Sequence, residues 1–451
     1  MSAAPHTVSQ LQPGTLALVL GLGRTGLSSA RYLRRKGLAV RVADTRAEPP
    51  GVAALREQVP EAEVRTGPFE PALLDGVSQV VISPGLSLRE PIVDAAARRG
   101  VPVVGDVELF AREAQAPVAA VTGTNGKSTV TALLAELANA ARRSAVAGGN
   151  LGEPALDLLE RPVPQLYVLE LSSFQLETTS SLEPATATVL NVTPDHLDRY
   201  DSLADYAAAK ARIFAGCDVA VVNADDPVVC EMPRAGQDVL SFSLGDPLAD
   251  YSVARLPEPV LACRGEPLLP LSAMRLQGLH NAANALAALA MCEALALPRG
   301  PVLEALTEFG GLPHRAQWVA DIGGVRYVND SKGTNVGATI AAVAGMEGPL
   351  VVIAGGDGKN QDFSGLRECF RGKVRHAVLI GRDARLLAAA LDGVCSTERA
   401  GDMAAAVRAA RAAARSGDTV LLSPACASLD MYRDYAHRGE EFVAAVRSQA
   451  G

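Results

Sequence analysis

Short apolar runs alternate with amphipathic stretches along most of the chain. Leu16 to Leu20, Ala39 to Ala43, Gln79 to Ile82 and Val101 to Val104 have the length and content of buried strands, and a helical pattern spans Gly26 to Lys36. The first 105 residues therefore predict a parallel α/β unit. A second series has strands at Pro117 to Val121, Leu166 to Leu171, Thr186 to Leu190 and Asp218 to Val222, with a helix over Lys127 to Ala141. The cluster Phe309-Gly310-Gly311-Leu312-Pro313 breaks this pattern. Beyond it, strands at Val325 to Val328, Leu350 to Ala354, Ala377 to Ile380 and Thr419 to Leu422 alternate with helical stretches. We expect three α/β domains, 1–105, 106–311 and 312–451. The Pro-rich segment Asp246 to Pro270 reads as loops and short strands, and no fixed-period repeat is present.

Composition narrows the class. With 48% hydrophobic and 20% charged residues among 451, the chain predicts a soluble globular protein. No apolar run approaches the length of a membrane span, and Met1 to Gly14 lacks the basic and apolar regions of a leader, so the expected location is the cytoplasm. Seven cysteines without a Cys-x-x-Cys pair argue against a disulfide framework and a thiolate zinc site. A net charge of −8 argues against nucleic-acid binding. The acid is concentrated in the middle, where 13 basic residues face 26 acidic ones over 106–311. Only six of the 42 basic residues are lysine, and four of those six, Lys127, Lys210, Lys332 and Lys359, fall in or beside polar motifs. A lysine retained in an arginine-using chain points to chemistry that needs a compact cation able to lose its proton.

Gly21-Leu22-Gly23-Arg24-Thr25-Gly26 follows a strand and opens a helix, and Asp44 ends the next strand. Such a turn suits a dinucleotide, another nucleotide, or no ligand at all. Arg46 is placed to meet a phosphate or a base edge. Gly123-Thr124-Asn125-Gly126-Lys127-Ser128-Thr129 is more specific. Its amides, lysine and hydroxyl, between a strand and a helix, suit a nucleoside triphosphate with magnesium, although Val121 stands where the full P-loop pattern has glycine. Glu170 at a strand's carboxyl end is either a magnesium ligand or a cap for the next helix. Asn191 to Asp198 concentrates hard ligands and one imidazole, His196, which is either a metal ligand or a hydrogen-bonding residue. Lys210, in an alanine-rich helix, is either a snorkelling surface cation or a functional amine. Asn281 and Asn284, three apart on one helix, suit a purine edge or a helix cap. Polar loops 329–335 and 355–360 end two strands of the last domain. No Ser-His-Asp, metalloprotease or paired-cysteine motif supports a hydrolase or zinc reading.

Together with Gly311-Leu312-Pro313-His314-Arg315 and Asn329-Asp330-Ser331-Lys332, these motifs resemble the Mur ligase family over all three domains in order. The resemblance implies a Rossmann-like N-terminal domain, a central P-loop mononucleotide-binding domain and a C-terminal Rossmann-like domain. Leu169 to Glu177 and Ser423 to Tyr435 look like the member adding D-glutamate to UDP-N-acetylmuramoyl-L-alanine, and the Asp-Asn-Pro-Arg string of diaminopimelate-adding relatives is absent.

Carried over, the resemblance implies that Gly123, Thr124, Asn125, Gly126, Lys127, Ser128, Thr129, Asn281, Asn284, Arg315 and Asp330 bind ATP. Ser128 and Glu170 would serve one magnesium, and His196 with Lys210, as a carbamate, a second. Arg24, Thr25, Asp44, Thr45, Arg46, Ser83 and Asn150 would hold the UDP-sugar. Thr334, Lys359, Ser428, Leu429 and Tyr435 would hold D-glutamate, with Lys332 at the reacting ends. The implied catalytic set is Lys127, Glu170, His196, Lys210 and Lys332, acting in a monomer of peptidoglycan precursor synthesis that binds neither nucleic acid nor membrane. ATP would phosphorylate the alanine carboxylate, and the amine of D-glutamate would attack the acyl phosphate. Competing readings are an NADP-dependent oxidoreductase with Arg46 on the 2′-phosphate, a nucleotide sensor without turnover, and a folate polyglutamylating or other muropeptide ligase.

Overall fold

The computed structural model describes residues 13–449 apart from 151, 197–198, 256, 277 and 347. Met1 to Gln12, on which most of the leader reading rests, lie outside the described residues, as does Asp198 of the ligand-rich segment.

Three sheets each come from one stretch of chain. The first is all parallel, in the order Glu63–Thr66, Ala39–Asp44, Leu16–Leu20, Val77–Ile82, Val103–Val104. Successive strands add to one side of Leu16–Leu20 and then to the other, so the crevice beyond Leu20 is a ligand position of the doubly wound kind. Helix Arg24–Arg35 starts there.

The second sheet has nine strands, in the order Glu266–Pro270, Pro259–Cys263, Tyr251–Arg255, Asp238–Ser243, Val219–Asn223, Thr186–Val189, Val118–Thr122, Leu166–Glu170, Ala145–Gly149. The Pro-rich segment forms its antiparallel extension, where Tyr251–Arg255 pairs with Pro259–Cys263 and that strand with Glu266–Pro270. Val121 pairs with Glu170, which brings the expected phosphate loop and the acidic strand end side by side. Helices Lys127–Ala140 and Leu279–Ala294 bury Leu133, Leu137, Leu286 and Ala290 in one core beside that sheet.

In the third sheet the order is Gln317–Ile322, Val325–Asn329, Thr419–Leu422, Leu350–Gly355, Val374–Ile380, Ser396–Arg399, and the first strand is antiparallel. Separate apolar clusters cover its two faces, around Phe370 on one and Phe442 on the other. A further cluster runs from Leu33 and Leu55 through Phe110 to Tyr167, so the first two domains share buried apolar surface.

The apolar pattern passed over Glu63–Thr66, Ala145–Gly149, Asp238–Ser243, Gln317–Ile322 and Ser396–Arg399. Ser396–Arg399 is exposed throughout and Ala145–Gly149 is built from small residues, so neither presents the buried branched run that marks a central strand.

Candidate active site at the meeting of three domains

Two positive-φ glycines shape the central loop, Gly123 at 146° and Gly126 at 86°. A Cβ at Gly126 would stand 2.5 Å from the Asn284 side-chain oxygen, so the loop is pressed against the helix bearing Asn281 and Asn284. Asn191 pins it from the neighbouring strand end, accepting from the Asn125 amide at 2.8 Å and donating to the Asn125 carbonyl at 3.1 Å. Lys127 folds back, its Nζ donating to the Gly123 and Thr124 carbonyls at 2.9 and 2.8 Å.

Lys210 reaches the same Gly123 carbonyl from helix Leu203–Ala211, at 2.9 Å. Its side chain is 1% exposed, which removes the snorkelling alternative. Burial first, and the neighbouring Lys127 cation second, hold its pKa well below the ordinary lysine value. Burial likewise lowers Lys127. Two amines converging on one carbonyl oxygen have a weakened preference for the charged form.

Glu170 faces this pair. Its Oε1 accepts from Asn150 Nδ2 at 2.6 Å, while Oε2 is buried with no hydrogen-bond partner among the described residues. The capping alternative falls, because the following helix is capped by Ser172 in a reciprocal box with Gln175. A buried carboxylate oxygen of this kind fits a cation ligand. The described residues contain no group of three or more His, Cys, Asp and Glu able to hold a metal unaided, so a cation here would need hydroxyl, phosphate or water ligands besides Glu170.

His196 adopts a left-handed φ of 54°, with its ring edge-on to Phe174 at 4.9 Å between centroids. The adjacent Asp195 accepts from Asn335 Nδ2 at 3.1 Å, and the same nitrogen lies 3.4 Å from the Asn125 side-chain oxygen. The third domain therefore touches the phosphate loop directly.

A cavity of about 280 Å³ lies between the central and third domains, with Thr129, His280, Asn281, Asn284, Arg315 and Asp330 in its wall. Asn284 Nδ2 donates to Asn281 Oδ1 at 3.2 Å. Helix Leu279–Ala294 has no side-chain cap, so these carboxamides line the cavity instead of capping the helix. Arg315 donates to Ser128 Oγ across the domain boundary, and burial lowers its pKa. Asp330 accepts from the Ala316 amide at 3.2 Å and from Ser423 Oγ at 2.9 Å, and burial raises its pKa to about 6. The Lys332 ammonium lies 3.8 Å from the centre of the Tyr435 ring, and burial, aided by Arg315, brings its pKa down to about 8. His280 was not singled out by sequence reasoning. Its Nδ1 is buried without a hydrogen-bond partner among the described residues and burial takes the ring to about 4, so a neutral imidazole lines the cavity; its place beside Asn281 in Gly-x-His-Asn was the available signal.

The structure gathers Lys332, Thr334 and Tyr435 at one strand end. Ser428 is buried, whereas Leu429 is 73% exposed and Lys359 is exposed, so these two are not enclosed with the rest. In the first domain, Gly21 has φ 88°, Ser83 Oγ donates to the Gly21 carbonyl at 3.1 Å, and a Cβ at Gly26 would fall 1.9 Å from that carbonyl oxygen. Asp44 is already occupied. The Leu22 amide donates to it at 2.7 Å and Arg46 grips both oxygens; the bond to Arg46 chiefly holds its pKa down to about 2. Thr45 is exposed, Thr25 takes a bond from Ser29 through its carbonyl, and Arg24 reaches the Gly152 carbonyl of the central domain at 2.6 Å. Asn150, expected at the UDP-sugar, donates instead to Glu170 within the central domain.

Family models match in the same order as the three sheets: a Mur ligase MurD-like N-terminal domain over 15–105, the Mur ligase middle domain over 121–292, and the Mur ligase glutamate ligase domain over 314–426. A protein of Nitrosococcus oceani named UDP-N-acetylmuramoylalanine--D-glutamate ligase is 52% identical over 442 residues, 97% of this chain and 98% of that protein. One of the same name from Methylococcus capsulatus is 53% identical, with 96% and 95% covered. The chain belongs to the Mur ligase family. Among solved structures, UDP-N-acetylmuramate-alanine ligase MurC of Thermotoga maritima aligns over 96% of this chain and 99% of its own at 20% identity, with a TM-score of 0.61. MurF of Acinetobacter baumannii aligns over 97% and 92% at 18% identity, with a TM-score of 0.61. The three-domain Mur ligase fold expected from the motifs is thereby present. Among the described residues of this Mur ligase, no helix is long and apolar enough to cross a membrane.

Proposed function

We propose that this Mur ligase uses ATP to join D-glutamate to UDP-N-acetylmuramoyl-L-alanine, in the cytoplasm and as a monomer. The observation that carries the ligase chemistry is the convergence of Lys127 and Lys210 on one carbonyl, beside a Glu170 oxygen that has no hydrogen-bond partner among the described residues. Curated relatives above 50% identity that bear the D-glutamate ligase name support the choice of substrates. We set the domain boundaries at 105/106 and 311/312, with UDP-sugar, ATP and amino acid assigned to successive domains.

A carboxylate is a poor electrophile because its oxygens leave badly. The terminal phosphoryl group of ATP passes to the alanine carboxylate, ADP leaves, and the acyl phosphate presents a carbonyl with phosphate as leaving group. The D-glutamate amine attacks that carbonyl, the C–N bond forms, and phosphate departs as the amine sheds its proton. Lys127 and the loop amides hold the triphosphate, while Asn281 and Asn284 read adenine, with Arg315 and Asp330 at its phosphates and ribose. Lys332, depressed by burial, supplies positive charge against the transferring group without a fixed guanidinium geometry. Thr334, Lys359, Ser428, Leu429 and Tyr435 receive D-glutamate, Lys359 and Leu429 from exposed positions.

Ser128, Glu170, His196 and Lys210 would hold two magnesium ions, which when bound neutralise phosphate charge. Glu170 fits that role through its orphaned oxygen. Lys210 fits through its suppressed charge, because only a neutral amine adds carbon dioxide; the N–C bond forms, one proton goes to water, and an anionic oxygen ligand results.

Phosphate release measured with the nucleotide sugar and, separately, D-glutamate, L-glutamate, L-lysine and diaminopimelate tests the reading. Release requiring D-glutamate, with an amide product of matching mass, supports it. Release with another amino acid moves the acceptor pocket, and binding of ATP and nucleotide sugar without release sinks the ligase. Activity falling on removal of carbon dioxide and returning with bicarbonate is the expected signature of the carbamate.

A further inference from the structure

Arg199 belongs to none of the residue sets above. It follows His196 by three positions, in the segment between strand Thr186–Val189 and helix Leu203–Ala211. Its Nη1 donates to the Pro84 carbonyl at 2.9 Å and its Nη2 to the Leu86 carbonyl at 2.6 Å, both in the first-domain loop that begins at Ser83. Nη2 also lies 3.5 Å from the Glu177 carboxylate. The guanidinium carbon stands 4.0 Å from the centre of the Phe174 ring, and that ring meets His196 edge-on and stacks on Tyr200 at 5.8 Å. One side chain thus grips the nucleotide-sugar loop while resting on the wall that carries His196.

Arg89 and Asp201 also bridge these two domains, but their side chains are 67% and 72% exposed, against 14% for Arg199. Solvent screens the first contact and largely spares the second. Two diverging carbonyls and a ring face need a planar fork; one lysine ammonium cannot serve all three.

The nucleotide end of the substrate and its reacting carboxylate belong to different domains in the function proposed above, on which this inference rests. Their separation is fixed only if the two domains are held in register. We propose that Arg199 is a positioning residue that sets the register between the Ser83–Leu86 loop and the His196 wall, so that the acyl arm of the nucleotide sugar reaches the phosphate loop at one length.

Steady-state kinetics of R199A, R199K and, as control, R89A in the full chain test this, with KM measured for all three substrates. R199A is expected to raise KM for UDP-N-acetylmuramoyl-L-alanine about tenfold while KM for ATP and D-glutamate changes less than about threefold. R199K should recover a minority of the loss, and R89A should stay within about twofold of the parent. An unchanged nucleotide-sugar KM in R199A overturns the proposal, as does an equal rise for all three substrates. If R199A fails to fold, R199K decides by the same split. Failure of the parent enzyme to make the D-glutamate product would instead overturn the function on which the proposal rests.

Discussion

Two glycine turns of this molecule share a local plan and differ in their charges. Each joins a buried parallel strand to a helix and uses positive-φ glycine, at Gly21 in the first domain and at Gly123 and Gly126 in the second. Around the first turn the decisive side chain is a carboxylate, Asp44, clasped by Arg46 and the Leu22 amide. Around the second it is a pair of buried amines facing Glu170. Glycine spacing fixes how closely a ligand approaches the backbone. The neighbouring charge differs between the two turns, a clasped carboxylate beside the first and two buried amines beside the second.

The comparison breaks most sharply at Lys127. K127M should lower kcat by about a thousandfold or more with the fold intact, measured as phosphate release alongside circular dichroism. Next come the glycines themselves. G26A drives a Cβ into a backbone carbonyl at 1.9 Å and should destabilise the protein by about 3 kcal/mol or more in urea unfolding. G126A meets the movable Asn284 carboxamide and a φ of 86°, so a smaller loss, about 1–2 kcal/mol, is expected, with a larger effect on ATP binding. R46A should raise KM for the nucleotide sugar about tenfold while ATP binding, read by calorimetry, stays unchanged. The smallest effect is a pH dependence. Asp44 has a folded pKa lowered to about 2, so its contribution is present above the unfolded carboxylate value and is lost as pH falls through about 2. Arg46 is half exposed, which discounts that contribution to about 1 kcal/mol. The stability gap between parent and D44N should therefore close between about pH 4 and pH 2.

The placement of the Gly123 to Thr129 turn between strand and helix, of Glu170 at a strand end and of Asn281 with Asn284 on one helix was legible in sequence, because glycine, lysine and carboxamide at fixed spacing are rare outside a reason. The scarcity of lysine pointed to Lys210, though its complete burial came only with the fold. Edge strands such as Ser396–Arg399 escaped because exposed strands need no apolar run. Arg199 escaped for a different reason. Its partners across the domain boundary are two main-chain carbonyls, which leave no trace in side-chain pattern, and arginine is too common in this chain for one more to stand out.

Strand order in the last sheet has a consequence for how the molecule is made. Thr419–Leu422 sits between Val325–Asn329 and Leu350–Gly355, pairing Asn329 with Leu422 and Ile353 with Leu422. During synthesis those two earlier strands emerge with a gap between them that only a much later segment fills. The first sheet closes once Val104 leaves the ribosome, but the third stays open until Leu422 has followed. For that interval two apolar strand edges stand unpaired in the nascent chain. Slow translation through the final stretch, or truncation within it, thus prolongs exposure of this sheet to chaperone capture and aggregation.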